Sequence, residues 1–400
     1  MSELDQLLAD SVERGDLPFA VAVVANHERV LWQGSAGNAT ASTPAGAQTL
    51  FRIFSMTKPI GALAAMILVE RDLLSLGTPL VSVLPEFGEI QVLETIGPDG
   101  PVLRPPRRPV TLLHLLTNTS GFAYDPWHKK QAIWQLVSGA PHPVAGTVIS
   151  LKHPLMFDPG EDFAYGFGFD WLALIIEKLD GRNVEQFCQE EIFGPLGMAD
   201  TVFEPDFARE RLAAVKVRGA DGSLWDTGDF AIGPPPHPEV YGLGQALYST
   251  ASDYVRFLRM MLGRGGLDGQ RLISTDAIEF MMTDQLGGLS MPVMTSIAPL
   301  WSVDVDLCPG TRKTWSAGFM RNEADIPGMR SSGSLSWAGF LNTHFWIDPV
   351  KDVAAVLMTQ LLPFCDARFM ETYAAFEQAV YRGLGVCGAL DPMPEAVESA

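Results

Sequence analysis

A serine and a lysine three positions apart, Ser55 and Lys58, are the residues of this sequence whose types and spacing point most directly to chemistry. Residues three apart on a helix lie on the same face, so Lys58 can accept the proton of the Ser55 hydroxyl. The backbone N–H of Ser55 can then point at an oxyanion developing on an attacked carbonyl group. Because proline is tolerated only near a helix start, Pro59 predicts a helix that begins close to Ser55. A residue before proline avoids the α region, which favours a tighter turn at Lys58.

Such a short motif has an alternative interpretation, a polar first turn on an ordinary core helix. Other short patterns indicate neither a metal nor a cofactor. The seven histidines have no metal-ligating spacing, and the stretch Gly242-Leu243-Gly244 lacks the third glycine of a dinucleotide-binding loop. The sequence also has no Gly-x-Ser-x-Gly elbow, which argues against an α/β-hydrolase triad.

Composition and charge restrict the classes of partner. The chain has 400 residues, of which 47% are hydrophobic and 19% charged, and its formal net charge is −19. The apolar content supports a large folded core, and the negative charge repels phosphate backbones and anionic lipids, so we expect no nucleic-acid or membrane partner. Residues 1–16 lack the basic and apolar regions of a signal peptide, and the four cysteines lack paired spacing. We therefore expect a cytoplasmic protein with buried thiols.

Hydrophobic periodicity predicts the elements that must position the Ser55 motif. Helices are predicted over residues 4–12, 110–116, 170–179, 252–262 and 368–381. Strands are predicted over residues 18–24, 29–32, 331–340, 343–347 and 353–359. Residues 97–109 are rich in proline and glycine and predict a surface loop, and residues 233–238 predict a subdomain boundary.

Strands at the two ends of the chain can share one antiparallel sheet, with the middle of the chain inserted as a helical domain. The predicted fold class is therefore α+β, an antiparallel sheet flanked by helices with an inserted, mostly helical domain. We expect residues 1–85 and 240–400 to form the domain with the sheet and residues 86–239 to form the helical domain. The active site is then expected between the two domains.

Four motifs, in this order, resemble the serine β-lactamase and penicillin-binding-protein superfamily on its class C side, and within it the family VIII carboxylesterases. They are Ser55-Met56-Thr57-Lys58, Leu115-Leu116-Thr117-Asn118-Thr119-Ser120-Gly121, the Pro159-Gly160…Tyr165 segment and Ser336-Trp337-Ala338-Gly339-Phe340. The resemblance covers most of the chain and implies a β-lactamase/transpeptidase-like fold.

The resemblance also implies roles for individual residues. Ser55 is the expected nucleophile, Lys58 its proton partner and Tyr165 the tyrosine of the third motif, while the N–H groups of Ser55 and Phe340 are expected to form the oxyanion hole. A partly desolvated lysine near a helix start is driven toward its neutral form, whereas a cationic lysine close to Tyr165 favours a phenolate. The two groups are expected to titrate as a coupled pair, which leaves open whether Lys58 or Tyr165 is the base.

Two motifs depart from the β-lactamase pattern. Trp337 stands where β-lactamases have lysine or histidine, as is common in family VIII esterases, and Phe167 stands where they have asparagine. The loss of a cation and an amide removes groups that hold a lactam carboxylate and an acyl amide, which favours neutral esters. Gly339 is expected to let substrate approach the strand backbone, with Trp337 beside it.

Further candidates for substrate contacts, although aromatic residues at such places are more often core, are Phe122, Tyr124, Trp127, Trp134 and Tyr241. The predicted function is hydrolysis of carboxylic esters with short to medium acyl chains through an acyl-enzyme on Ser55, with a small-molecule ester as partner and no cofactor or metal. A β-lactamase, a D-amino-acid peptidase or amidase and an acyltransferase are alternatives on the same scaffold. A catalytically silent binding paralogue is the alternative outside enzymes. The sequence leaves the natural ester and the oligomeric state open.

Overall fold

A computed structural model describes residues 2–227, 233 and 235–387. The helices in these ranges are α1 (Glu3–Glu13), α2 (Thr57–Glu70), α3 (Leu112–Leu116), α4 (Lys129–Ser138), α5 (Val148–Leu151), α6 (Trp171–Asp180), α7 (Val184–Cys188), α8 (Gly194–Leu196), α9 (Ala251–Leu262), α10 (Thr275–Met282) and α11 (Ala367–Cys387). Short 3-10 and π turns connect several of them.

The strands in the described ranges form one large sheet and several two- or three-stranded ribbons. They are β1 (Phe19–Ala25), β2 (Val30–Gly37), β3 (Phe51–Arg52), β4 (Val92–Gly97), β5 (Gly100–Arg104), β6 (Lys216–Arg218), β7 (Leu224–Asp226), β8 (Tyr248–Ser249), β9 (Gly266–Leu267), β10 (Gln270–Arg271), β11 (Lys313–Trp315), β12 (Met320–Asn322), β13 (Leu335–Gly339), β14 (Thr343–Asp348), β15 (Val353–Met358) and β16 (Leu361–Leu362).

The large sheet joins strands from both ends of the chain, which confirms the predicted α+β class. Its order is β11-β12-β13-β14-β15-β1-β2, and neighbouring strands are antiparallel. All seven residues of β1 are buried because the sheet is covered on both faces. Phe19, Val21 and Val23 pack in the same cluster as residues of α2 and α9, whereas Ala20 and Val24 pack with α1 and α11.

The predicted helices and strands agree with those of the structure apart from small shifts of their ends, but the loop prediction for residues 97–109 is wrong in part. β4 and β5 form an antiparallel hairpin in which Leu93 pairs with Leu103. Gly100 turns this hairpin with a φ of 109°, and Pro101 fits because a two-stranded ribbon leaves its outer edge unpaired. Residues 97–101 therefore belong to a β-turn and an edge strand, whereas residues 105–109 form the predicted loop.

The polypeptide between β3 and β8 carries α2 to α8, the hairpin β4–β5 and the ribbon β6–β7. The predicted break at 233–238 lies partly outside the described residues, and the predicted domain boundaries stay a prediction. Every helix in the described ranges is too short or too polar to cross a lipid bilayer.

Candidate active site

Ser55 lies in a 3-10 turn, Phe54–Met56, that leads directly into α2. The tighter turn expected at this point precedes Lys58, which itself lies in the α-helix. Phe54 has a φ of 39°, a left-handed conformation that is uncommon for an aromatic residue and that immediately precedes Ser55. Residues 57–68 are all buried, so α2 is a central helix of the molecule, and Ser55 stands just before its N-terminal end.

Lys58 is fully buried and places its amine between three oxygen atoms. Its Nζ lies 3.2 Å from Ser55 Oγ, 3.0 Å from the Gly244 carbonyl oxygen and 3.4 Å from the Tyr124 hydroxyl. The amine also lies 4.7 Å from the centroid of the Tyr165 ring. Burial lowers the pKa of Lys58 far below its usual range, and the carboxylate of Asp170 opposes this shift. The environment therefore favours a neutral amine next to Ser55.

The Tyr165 hydroxyl completes the cluster. It accepts a hydrogen bond of 3.0 Å from the indole Nε1 of Trp337 and lies near the Ser55 side chain. Burial raises the pKa of Tyr165 well above its usual value, although its interactions with Ser55 and Trp337 oppose the shift. Tyr165 is therefore a neutral phenol near pH 7. The structure thus brings together Ser55, Lys58 and Tyr165, the three side chains that the sequence singled out.

Backbone contacts hold Tyr165 at this place. The Tyr124 N–H donates to the Tyr165 carbonyl oxygen at 3.0 Å, and the Ala164 N–H donates to the Asn118 carbonyl oxygen at 3.0 Å. A Cβ atom on Gly166 would lie 2.0 Å from the Phe122 carbonyl oxygen, so only glycine allows the two segments to approach this closely. The motif around Asn118 therefore acts as a scaffold for Tyr165.

The backbone N–H groups of Ser55 and Phe340 lie on neighbouring segments at the end of β13. The carbonyl oxygen of Ile53 would lie 2.2 Å from a Cβ atom on Gly339, so the strand runs directly against the backbone that precedes Ser55. Within the described part of the chain, neither N–H donates to a protein acceptor. Both N–H groups can therefore donate hydrogen bonds to an oxyanion. Gly339 was expected to let substrate approach the strand, but the group that approaches it is the Ile53 backbone.

The Ser55 hydroxyl opens into a cavity of about 400 Å³. Its wall is mainly aromatic, formed by Phe54, Tyr124, Trp127, Tyr165, Trp301 and Phe340. The polar lining includes Asp125 and His142, whose Nε2 lies 2.9 Å from an Asp125 carboxylate oxygen. None of the described residues that line this cavity is a lysine or an arginine.

Three residues predicted to contact substrate lie elsewhere. Phe122 is buried and packs on Phe167 with ring centroids 5.0 Å apart, and the Tyr241 hydroxyl donates to Glu204 at 3.0 Å. Trp337 is 1% exposed and its ring packs against Tyr165, so its indole contacts that residue and does not line the cavity. Of the aromatic candidates for substrate contacts, Tyr124 and Trp127 line the cavity, and Tyr124 also contacts Lys58.

Sequence reasoning missed other residues of the cavity. Trp301 lies far along the chain from every motif, and Gln245 follows the Gly-Leu-Gly stretch that the sequence left unassigned. The indole Nε1 of Trp127, a residue that the sequence did offer as a candidate, donates to Ser302 Oγ at 3.1 Å. That bond connects the turn after Tyr124 to the loop that carries Trp301.

One cluster outside the cavity has the composition of a metal site. Ligand atoms of Glu204, Asp206 and His237 lie within 4.8 Å of one another. Asp206 is paired with Arg209, and Glu204 accepts hydrogen bonds from Tyr241 and from the His237 backbone. These protein partners account for the two carboxylates, so the cluster gives no independent indication of a metal.

Known proteins share this architecture. Unliganded, selenomethionyl simvastatin synthase (LovD) from Aspergillus terreus superposes with a TM-score of 0.81 at 25% identity, covering 94% of this chain and 97% of that one. The architecture is thus of the β-lactamase/transpeptidase-like class. The family profile described as Beta-lactamase matches residues 4–379. The chain belongs to this β-lactamase family, within the superfamily of serine β-lactamases and penicillin-binding proteins.

Relatives in this family include hydrolases and acyltransferases. A lovastatin esterase from Penicillium rubens is 30% identical over 341 residues, which cover 82% of this chain and 84% of that protein. Monacolin J acid methylbutanoyltransferase from Aspergillus terreus is 29% identical over 353 residues, covering 84% of this chain and 83% of that protein. The family therefore supports an enzyme with a serine nucleophile.

Proposed function

We propose that this protein is a serine carboxylesterase that cleaves neutral esters through an acyl-enzyme on Ser55. One observation carries the proposal, the position of the buried Lys58 amine 3.2 Å from Ser55 Oγ at the base of a largely aromatic cavity. A neutral amine at that distance is a competent base for a serine hydroxyl. The resemblance to family VIII carboxylesterases and the esterase among the relatives support the same reaction.

In the proposed acylation step, Ser55 Oγ forms a bond to the ester carbonyl carbon while its proton passes to Lys58 Nζ. The carbonyl electron pair moves onto oxygen, where the N–H groups of Ser55 and Phe340 stabilise the negative charge. The bond to the leaving oxygen then breaks as the carbonyl re-forms. The Tyr165 phenol protonates the departing alkoxide and regains a proton from Lys58. Water repeats the sequence in reverse and releases the acid.

Lys58 fits the role of base better than Tyr165 does. Burial shifts both pKa values toward the uncharged forms, which makes the amine available as an acceptor and keeps the phenol protonated as a donor. The hydrogen bond from Trp337 occupies a lone pair of the phenol oxygen and leaves its proton free to point toward Ser55.

The lining of the cavity supports neutral esters over β-lactams. A lactam carboxylate would enter a cavity whose described lining has the carboxylate of Asp125 and neither lysine nor arginine. Like charges in a partly desolvated cavity repel, whereas an uncharged ester meets mainly aromatic surface. A volume of about 400 Å³ also leaves room for an acyl chain of several carbons.

Replacement of the nucleophile tests the proposal. Ser55→Ala is expected to lower kcat/KM for p-nitrophenyl butyrate by about 10⁴-fold or more, because no acyl-enzyme can form. Ser35→Ala, at an exposed position on β2, is the matched control and should retain wild-type turnover. Retained hydrolysis in Ser55→Ala would remove Ser55 from the mechanism. If the protein hydrolysed nitrocefin faster than esters, the proposed function would have to change from esterase to β-lactamase.

Acyl transfer to an alcohol is the second candidate, favoured by the methylbutanoyltransferase among the relatives. The same acyl-enzyme would then react with an alcohol in place of water. Product analysis with added alcohols distinguishes the two, since a transferase converts most acyl-enzyme to a new ester at millimolar alcohol. A silent binding protein would neither turn over esters nor react with a fluorophosphonate probe.

A further inference from the structure

A buried carboxylate lies behind Lys58 on the side away from the cavity. Asp170 is 1% exposed and stands at the N-terminal end of α6, where its side chain makes no hydrogen bond to the helix start. Its Oδ1 instead accepts a hydrogen bond of 2.8 Å from the Gly244 N–H. The carbonyl oxygen of the same glycine accepts the 3.0 Å bond from Lys58 Nζ. One residue thus connects the carboxylate to the amine.

The two glycines of the Gly242-Leu243-Gly244 stretch pack closely against this carboxylate. A Cβ atom on Gly242 would lie 2.3 Å from Asp170 Oδ1, and a Cβ atom on Gly244 would lie 2.6 Å from it. Real Cβ atoms do not approach an oxygen this closely, so a side chain at either position would displace the carboxylate. The Gln245 amide lies 3.5 Å from the other carboxylate oxygen. These contacts give the two glycines a function that the sequence pattern alone left unassigned.

We propose that Asp170 is a positioning residue that stabilises the Lys58 ammonium formed when Ser55 attacks the substrate. The inference rests on the proposed function only in requiring that Lys58 accepts the Ser55 proton. When that proton moves to Nζ, a positive charge appears in a buried site and needs a compensating negative charge. The Asp170 carboxylate, held in place by Gly244, supplies this charge. Its role resembles that of the aspartate of a Ser-His-Asp triad, which stabilises an imidazolium.

The electrostatic surroundings of Asp170 agree with this role. The titratable groups that face it are Lys58 on α2, His142, and the phenols of Tyr124 and Tyr165. Burial raises the pKa of Asp170, while Lys58 and the Gly244 N–H oppose that shift. Conversely, the Asp170 carboxylate raises the pKa of Lys58 against the effect of burial. The carboxylate and the amine therefore stabilise each other's charged forms.

Asp170→Asn tests the proposal because it removes the charge and keeps an oxygen that accepts from Gly244. Without the carboxylate, the plateau of kcat/KM for p-nitrophenyl butyrate is expected to fall by about 10- to 100-fold. The acid limb of the pH profile should also move to lower pH, because the Lys58 ammonium loses its stabilising charge. Asp253→Asn removes another buried carboxylate, whose partners are Asp200 and Thr201 rather than Lys58, and should change neither quantity.

The rate at which a fluorophosphonate probe labels Ser55, measured against pH, separates this inference from the substrate assignment. Labelling depends on deprotonation of Ser55 and not on which acyl group the enzyme prefers. Slower labelling in Asp170→Asn with the acid limb displaced supports the proposal even if esters prove to be poor substrates. The proposal is overturned if neither the plateau nor the acid limb of the labelling rate changes. It is also overturned if the plateau falls while the acid limb keeps its position, because this would indicate a purely structural role.

If Asp170→Asn is recovered unfolded, Gly242→Ala provides the second test. This variant keeps the charge but pushes the carboxylate out of its place. A folded Gly242→Ala that labels more slowly than wild type supports the proposal. Wild-type labelling in that variant overturns it.

Discussion

A neutral Lys58 amine can satisfy all three of its oxygen neighbours. Two N–H bonds can point to the Gly244 carbonyl and the Tyr124 hydroxyl, which leaves the lone pair for the Ser55 hydroxyl. An ammonium would have to donate to Ser55 as well, and that would oppose loss of the hydroxyl proton. The arrangement therefore explains why burial of a lysine, which is costly, is compatible with this site.

Trp337 acts on Tyr165 rather than on substrate, and a conservative substitution tests this at the residue level. Trp337→Phe keeps an aromatic ring but removes the 3.0 Å bond to the Tyr165 hydroxyl. A bond of this kind contributes about 1 kcal/mol, so kcat is expected to fall roughly fivefold. KM should hardly change, because Trp337 does not line the cavity.

Steady-state kinetics on short p-nitrophenyl esters measure kcat and KM of Trp337→Phe separately. Trp171→Phe is the control, since Trp171 is also fully buried but its indole N–H has no partner in the described part of the chain. A rise in KM with unchanged kcat would show that Trp337 contacts substrate after all.

At the level of elements, the site depends on how closely the segments around Phe122 and Tyr165 pack. Gly166→Ala would place a Cβ atom 2.0 Å from the Phe122 carbonyl oxygen, and the nearest atoms are all backbone atoms of residues 122–123, which cannot rotate away. Such overpacking is expected to lower the free energy of unfolding by about 1–3 kcal/mol. Displacement of Tyr165 should lower kcat in the molecules that remain folded. Urea unfolding and active-site titration measure the two effects.

Gly77→Ala is the matched control for this prediction. No atom would lie within 4 Å of its new Cβ atom, and its φ is not positive. Its unfolding free energy should therefore stay within about 0.5 kcal/mol of wild type or rise slightly. Equal stability of the two variants would mean that the close approach at Gly166 is not needed.

The sequence predicted the parts of this molecule that depend on local signals. Ser55 and Lys58 are three residues apart, and the helix predicted over residues 110–116 corresponds to α3. The contacts of Asp170 with Gly244 and of Trp337 with Tyr165 span 74 and 172 residues, so no local pattern reveals them. The hairpin β4–β5 was missed because its proline lies on an outer edge, where a proline does not break pairing.

At the level of the whole molecule, a buried ion pair attaches α11 to the segment before β13. The Arg330 guanidinium donates to both carboxylate oxygens of Glu377, at 2.8 Å and 2.6 Å, and both side chains are almost fully buried. A second pair, Arg382 with Glu3, connects α11 to α1 at the surface. Loss of one partner from a buried pair leaves an uncompensated charge, whereas an exposed pair contributes little.

Glu377→Gln is therefore expected to lower the free energy of unfolding by about 3 kcal/mol or more. Glu3→Gln, its counterpart on the exposed pair, should lower it by less than about 1 kcal/mol. Neither glutamate lines the cavity, so kcat/KM per folded molecule should equal that of wild type in both variants. Urea denaturation followed by ester hydrolysis on the same samples measures both quantities. Similar unfolding free energies of the two variants would show that burial adds nothing to the Arg330–Glu377 pair. A loss of kcat/KM in the folded Glu377→Gln protein would show that packing of α11 against the sheet is coupled to the active site.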